Sequence, residues 1–208
     1  MRSAPRIPFT LPTALVLIIG ACATSQDQAP AESEMLAVIR AGFHERGIAK
    51  LDRLEQTDLQ KTCTRYRDNP PADVRAALEK AALASVRYPA DGHWLGDYQQ
   101  GERIAQSGIG LQWSDRADSV NGGNCYACHQ LTKEEISFGN IGPSLYHYGA
   151  QRGQGEAVLR YTWAKIWNTH SFNACSAMPR FGDAGILTAE QVSHVMALLL
   201  DPASPVNR

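Results

Sequence analysis

The 208-residue sequence has no excess of charge of one sign and no long hydrophobic run. Its 20 basic and 21 acidic side chains give a formal net charge of -1 without any basic stripe, so a nucleic-acid partner is not expected. The apolar stretches are shorter than the about 20 residues that a transmembrane helix needs. Alternating strand patterns are also absent. With 44% hydrophobic residues, the chain is predicted to be a mostly α protein with long loops.

The N-terminus has the pattern of an export signal. Two arginines precede an apolar segment centred on residues 15–19, and small residues follow it. Cleavage after Ala23 satisfies the small-x-small rule, whereas cleavage before Cys22 fits a bacterial lipobox and would place a lipid on that cysteine. The polar residues 24–33 would then form a tether. Both alternatives predict a periplasmic protein, and the second anchors it to the membrane through Cys22.

Apolar residues recur at helical spacing in six segments, which are predicted to be helices. Asp73 and Thr188 are expected to cap the third and the last of these helices. The stretches 139–155 and 173–185, rich in turn-forming residues, are predicted loops. The six helical segments are residues 34–46, 51–59, 74–86, 101–106, 156–169 and 189–200.

Residues 125–129 read Cys-Tyr-Ala-Cys-His, the C-x-x-C-H motif of covalent haem attachment. The two intervening residues are expected to form a helical turn, so that Cys125 and Cys128 can each add to a vinyl group on one edge of haem. His129 would then face the iron as an axial ligand. A redox dithiol would need a βαβ context, and a zinc site would need a second ligand pair, which the other cysteines do not supply. One covalently bound haem c is therefore predicted.

Met178 is the expected second axial ligand of the iron. It lies in a predicted loop directly before Pro179, and enough chain separates it from His129 to wrap the second face of a haem. A thioether ligand stabilises ferrous iron and raises the reduction potential. The alternatives are His147 and His170, either of which would give a bis-histidine haem of lower potential. The other methionines are better explained as helix residues.

Pro143 follows the haem motif after a short loop. Its carbonyl group could accept a hydrogen bond from Nδ1 of His129, which would fix the orientation of the ring and raise its basicity as a ligand. An ordinary Gly-Pro turn is the alternative explanation for this dipeptide.

Two cysteines remain once the haem and the lipobox are assigned. An oxidising compartment favours a disulfide between Cys63 and Cys175, which would attach the N-terminal part of the chain to the Met178 loop. The alternative is that Cys175 is a free, reactive thiol near the haem. The disulfide is the prediction that uses all five cysteines of the chain.

Several segments together resemble the SoxX family, the small monohaem cytochrome c subunits of the SoxAX thiosulfate-oxidising complex. The resemblance covers about residues 63–207. Its most specific parts are the Met-Pro-Arg-Phe-Gly segment and the Asp-Pro-Ala-Ser-Pro-Val-Asn tail. The matching stretches are residues 88–92, 96–97, 122–129, 142–145, 178–182 and 200–207.

The resemblance implies a class I cytochrome c fold with an N-terminal helical extension. Together with the export signal and the turn at residues 89–92, this predicts that residues 1–22 are the signal peptide, 23–89 the tether and helical extension, and 90–208 the cytochrome c domain. It also implies that His129 and Met178 are the axial ligands of the haem iron.

The resemblance further implies a role as the electron-transfer subunit of the SoxAX complex, an L-cysteine S-thiosulfotransferase. SoxA would be the heterodimer partner and would carry the catalysis, so this chain would not be catalytic by itself. The complex links thiosulfate oxidatively to the SoxYZ carrier, and SoxX passes the electrons to an acceptor cytochrome c. Two other functions fit the haem motif. One is a free-standing exported cytochrome that shuttles electrons between respiratory complexes, and the other is a haem enzyme with a displaceable sixth ligand.

Overall fold

A computed structural model describes residues 32–208, which contain seven α-helices, four short 3-10 helices and no β-strand. The prediction of a mostly α protein is therefore confirmed. The 3-10 helices are Leu51–Leu54, Cys125–Ala127, Thr169–Ser171 and Pro205–Asn207. The α-helices are α1 (Glu32–Gly42), α2 (Asp58–Arg65), α3 (Ala72–Ala84), α4 (Tyr98–Gln106), α5 (Tyr148–Arg152), α6 (Glu156–Trp167) and α7 (Ala189–Leu200).

The chain divides into two units, Met1–Ile39 and Arg40–Arg208, and the second has its own hydrophobic core. The predicted boundary between residues 89 and 90 falls inside this second unit and stays a prediction. The predicted signal segment, with Cys22, lies outside the described residues. Within the described range, no helix is both long enough and apolar enough to span a bilayer.

Helix α7 begins as predicted. The Thr188 side chain accepts a hydrogen bond from the backbone N–H of Gln191 (3.1 Å), and the Gln191 side chain accepts one from the N–H of Thr188 (3.0 Å). This reciprocal capping box satisfies two backbone donors and fixes the start of the helix. Helix α2 begins with the same arrangement of Thr57 and Gln60, which the sequence analysis did not identify.

Three predictions about helices were wrong. Asp73 does not cap α3, because the helix begins two residues before the predicted start, at Ala72, with Pro71 at the cap position. The fixed φ of a proline suits this position. Asp73 instead places its carboxylate in the first turn, where the negative charge interacts favourably with the helix dipole. The predicted helix 51–59 is replaced by a 3-10 helix followed by α2. The predicted loop 139–155 contains the short helix α5.

Helix α7 lies at the centre of the core. It buries Val192 and every residue of 195–200. Helices α4, α5 and α6 pack against it. Helix α6 contributes Trp163 and Trp167, whose stacked rings lie 6.0 Å apart. The core is therefore built on the C-terminal helix, and the segments that flank the haem motif are attached to it.

Helices α4 and α7 cross at a very short distance, and Gly101 makes this possible. A Cβ atom at Gly101 would clash with the backbone carbonyl of His194 and would lie 3.0 Å from Cβ of Leu198. Just before α4, the N–H of Gly96 donates to the carbonyl of Ser193 (2.9 Å), and the N–H of Asp97 donates to Nδ1 of His194 (2.9 Å). These contacts fix the position of α4, which leads into the haem motif.

We expect Gly101→Ala to lower the free energy of unfolding by about 1–3 kcal/mol, because the added methyl group meets backbone that cannot move without separating the two helices. Chemical denaturation measures the loss. Gly42→Ala is the matched control, since a Cβ at that helical glycine would meet nothing within 4 Å. Equal denaturation midpoints for the two variants would contradict the expectation.

Candidate haem-attachment site

The C-x-x-C-H motif forms one tight turn, as the sequence analysis expected. The 3-10 helix Cys125–Ala127 follows Asn124, which has a left-handed backbone with φ 46. The N–H groups of Cys128 and His129 both donate to the carbonyl of Cys125, at 3.1 and 2.9 Å. Both cysteines of the motif are free thiols. A single backbone turn thus carries both thiols and the imidazole, as covalent haem attachment requires.

The loop before the motif is bonded to the end of α4. The N–H groups of Gly123 and Asn124 donate to the carbonyls of Ile104 (2.8 Å) and Ser107 (2.9 Å). A Cβ atom at Gly122 would clash with the carbonyl of Ser107, so the close approach of the two segments requires glycine there. The start of the motif is therefore fixed to a helix that is itself fixed to the core.

The imidazole of His129 is held by the segment around Pro143. Nδ1 of His129 donates to the carbonyl oxygen of Pro143 at 2.7 Å. Because a carbonyl oxygen can only accept, Nδ1 carries the hydrogen, and Nε2 has the free lone pair that a metal ligand needs. A Cβ atom at Gly142 would clash with the ring, so glycine leaves the space that the imidazole fills. The residues present therefore fit a haem iron bound at Nε2.

A longer segment than Pro143 alone runs along the motif, and the sequence analysis did not identify it. The N–H groups of Gly139, Gly142 and Leu145 donate to carbonyls of residues 126, 128 and 130, each at 2.8 Å. A Cβ atom at Gly139 would clash with the carbonyl of Ala127. The spacing of Gly139 and Gly142 is the only signal in the sequence that this segment contacts the motif. The segment therefore holds the backbone of the motif through three hydrogen bonds.

The surroundings of Cys125 do not suit a redox dithiol. This cysteine is partly buried against the core, and burial raises the pKa of its thiol to about 12. Catalytic dithiols work instead through a cysteine whose pKa is lowered, which makes the thiolate available. The described residues also contain no strand that could provide a βαβ context. The dithiol alternative therefore has no support from the geometry.

Met178 and His170 meet at one cleft of about 320 Å³, which Arg180 also lines. Met178 is partly buried against the core, and its N–H donates to Oγ of Ser176 (3.2 Å). Nε2 of His170 donates to the carbonyl of Ser176 (3.2 Å), and burial lowers the pKa of this histidine. That bond commits Nε2 to the protein backbone, whereas Nδ1 of His170 is buried without a hydrogen-bond partner among the described residues, so Met178 and His170 both stay candidates for the sixth ligand.

The remaining candidates for the sixth ligand lie elsewhere. His147 begins α5 with a left-handed backbone, φ 59, and its ring lies 3.8 Å from that of Tyr146. Met196 is fully buried within α7, as expected for a core methionine. Met35 belongs to α1, in the N-terminal unit. The assignment of Met178 stays a prediction.

A disulfide joins Cys63 of α2 to Cys175, three residues before Met178. Their Cα atoms lie 5.6 Å apart, and 112 positions separate them in sequence. The sulfur atoms and a carboxylate oxygen of Asp68 lie within 4.8 Å of one another. Since both sulfurs are bonded, this group is not a set of thiolate metal ligands. The disulfide thus attaches the N-terminal part of the second unit to the Met178 loop.

We expect Cys63→Ser/Cys175→Ser to destabilise the chain, because the loop-entropy model assigns a crosslink across 112 residues up to about 4–5 kcal/mol. Denaturant unfolding under oxidising conditions measures the change. The wild-type chain with reductant is the matched control and should unfold at the midpoint of the double variant. The absence of any difference between the oxidised wild type and the double variant would show that the crosslink does not stabilise the fold.

No protein-family model matches the chain. An uncharacterized lipoprotein of Aquifex aeolicus (strain VF5) is 37% identical to it over 156 residues. The alignment covers 74% of this chain and 73% of that protein. Identity of this degree over most of both chains shows common descent. The chain therefore belongs to the family of this Aquifex lipoprotein.

Proposed function

We propose that this chain is a lipid-anchored c-type cytochrome with one covalent haem, and that it is the electron-transfer subunit of a SoxAX-type complex. The hydrogen bond from His129 Nδ1 to the Pro143 carbonyl carries the haem part of the proposal. It fixes the tautomer in which Nε2 can bind iron, directly after the turn that contains Cys125 and Cys128.

Four side chains would hold the group. Cys125 and Cys128 would form the thioether bonds, while His129 and Met178 would provide the two axial ligands. The haem, when bound, supplies reversible one-electron exchange. With protein ligands on both faces, no open position remains for a substrate, so the chain would carry electrons without itself being the catalyst.

The packing of the helices supports a class I cytochrome c fold for residues 90–208. Helix α4 precedes the motif, from which a loop separates it, and packs on the C-terminal helix α7, and α6 completes this core. Helices α2 and α3 would belong to the N-terminal extension, which reaches the Met178 loop. In addition to the disulfide, the N–H of Ala174 donates to the Glu79 carboxylate of α3 at 3.3 Å. The extension would thus brace the loop that carries the sixth ligand.

The resemblance to SoxX supports the more specific role. SoxA would be the permanent partner and would carry the L-cysteine S-thiosulfotransferase chemistry on the SoxYZ carrier. This chain would accept the electrons released and pass them to an acceptor cytochrome c. The name of the Aquifex relative, a lipoprotein, supports a lipid on Cys22 and therefore a membrane-anchored position in the periplasm.

The proposal is tested by purifying the tagged chain in detergent from its native cells grown on thiosulfate. We expect it to retain a second, larger haem-stained protein, and we expect reduction by thiosulfate to require that partner and the carrier. If the chain instead elutes alone and is reduced by a respiratory complex, it is a free-standing electron shuttle.

Mass spectrometry of the mature N-terminus tests the anchor separately. A diacylated or triacylated Cys22 is expected. An unmodified chain that begins at Thr24 would show cleavage after Ala23 and would remove the lipid from the proposal.

A further inference from the structure

Three large apolar side chains are exposed on the loop between α4 and the haem motif. Ile109, Leu111 and Trp113 are 57%, 45% and 48% exposed, and they alternate along a five-residue segment. The loop is well ordered by its own hydrogen bonds, because the N–H groups of Gly110 and Gln112 both donate to one carboxylate oxygen of Asp115, at 2.9 Å. The fold therefore presents these side chains to the solvent in a fixed arrangement, as interaction surfaces do.

Two arginines lie directly beside these side chains. The guanidinium carbon of Arg46 lies 3.3 Å from the centre of the Trp113 ring. Arg53 donates to the carbonyl of Leu111 and also to that of Ile48, the latter at 3.1 Å. Neither arginine forms a salt bridge within the described residues. Tryptophan with aliphatic side chains, surrounded by unpaired cations, is the composition that favours a membrane–water interface.

Part of this surface follows the proposed anchor closely in sequence. The unit that contains it begins at Arg40, and only six residues later Arg46 contacts Trp113. The stretch from Cys22 to Arg40 can span at most about 65 Å even when fully extended. Arg46 and Arg53, which form part of the surface, therefore lie in the part of the unit that follows the anchor most closely in sequence.

We propose that the 109–113 surface, formed by Ile109, Leu111, Trp113, Arg46 and Arg53, rests on the lipid bilayer that holds the anchor. This inference rests on the lipid anchor of the proposed function. The apolar side chains would enter the interfacial layer, and the arginines would face lipid phosphates. The contact can be weak, because a tether at Cys22 turns it into an intramolecular event with a high effective concentration.

The contact would also orient the haem site. The N–H of Gly122 donates to the carbonyl of Ile109 at 2.8 Å, so the surface is bonded to the loop that leads into Cys125. A chain tethered through Cys22 alone could rotate freely above the membrane. A second contact at 109–113 would hold the haem motif at one height and in one orientation relative to the lipid.

Vesicle binding of the mature chain without its lipid tests the surface independently of the anchor. The chain is exported behind a non-lipoprotein signal, loaded with haem, and sedimented with vesicles of equimolar phosphatidylcholine and phosphatidylglycerol. We expect binding of the wild type, and a loss of about tenfold or more in Ile109→Ser/Leu111→Asn/Trp113→Ser. Asparagine is chosen at position 111 because Leu111 has a left-handed backbone, φ 67. Vesicles of phosphatidylcholine alone should bind the wild type several-fold less.

A matched control changes three other exposed apolar residues. Val120, Ile136 and Ile141 are 78%, 95% and 78% exposed, and Val120→Ser/Ile136→Ser/Ile141→Ser should bind vesicles as the wild type does. Equal loss in both triple variants, or no binding of the wild type, would overturn the proposal. The proposal would also be overturned if the 109–113 triple variant bound vesicles normally but no longer retained the partner cytochrome. The 109–113 surface would then be a protein interface.

The visible spectrum and unfolding midpoint of each variant show whether it is folded. If the triple variant does not fold, Ile109→Ser alone provides the test, since its exposed side chain can be shortened with the least disturbance. It should weaken vesicle binding several-fold, and unchanged binding would overturn the proposal. Failure of the vesicle experiment would not contradict the lipid anchor on Cys22, because mass spectrometry tests that anchor separately.

Discussion

Replacing both Cys125 and Cys128 with serine is expected to leave a chain without covalently attached haem. The two thiols lie on one turn and are the only free thiols among residues 32–208, since Cys63 and Cys175 are bonded to each other. Serine hydroxyls do not add to the vinyl groups of haem under these conditions, so both thioether bonds are lost. Haem staining of a denaturing gel and the intact mass should both show the complete loss of the group.

The disulfide variant Cys63→Ser/Cys175→Ser is the control for this experiment. It also removes two cysteines, but it leaves the turn at 125–129 unchanged, so it should retain one haem per chain. Haem that remains covalently attached in Cys125→Ser/Cys128→Ser would exclude the motif as its attachment site. Loss of haem in both double variants would point instead to a general failure of folding or export.

Changing Met178 to alanine is expected to remove the sixth ligand while the haem stays attached. The far-red absorption band of thioether-to-iron ligation should disappear. The reduction potential should fall by a sizeable fraction of the roughly 0.8 V range that axial ligands control. The thioether stabilises ferrous iron, so its loss favours the ferric state. Visible spectroscopy and a redox titration of the purified protein measure both effects.

Met196→Leu is the matched control for this experiment, because Met196 is fully buried in α7 and leucine has nearly the same volume. This variant should keep the far-red band and the potential of the wild type. Persistence of the band in Met178→Ala would contradict the assignment. If His170→Gln changes the spectrum and Met178→Ala does not, the iron has a bis-histidine environment.

Most of the features that sequence predicted well depend on residues that lie close together in the chain. The Thr188 cap and the turn at 125–129 each depend on residues within four positions of one another, and local hydrogen bonds determine them. The bond from His129 to Pro143 was expected because the chain between them is short. The pairing of Cys63 with Cys175 followed from the number of cysteines rather than from any knowledge of the fold.

The features that sequence missed depend on contacts between distant segments, or on which of two neighbouring residues starts a helix. Asp73 is a good capping residue, but the preceding Pro71 starts the helix earlier. Nothing local in the sequence indicates that Gly101 lies against the backbone of His194, because the two positions belong to different helices. Of the candidate site, the turn at residues 125–129 and the bond from His129 to Pro143 could therefore be predicted, whereas the segments that hold this turn could not.

The burial of Cys125 affects which cysteines can exchange disulfide bonds after the chain has folded. Cys63, Cys125, Cys128 and Cys175 could in principle pair in three ways in an oxidising compartment. Thiol–disulfide exchange requires a thiolate, and a thiol with a pKa of about 12 supplies almost none at neutral pH. Once the chain has folded, Cys125 is therefore a poor attacker of the Cys63–Cys175 disulfide. The fold itself therefore protects the structural disulfide from one of the two thiols of the haem motif.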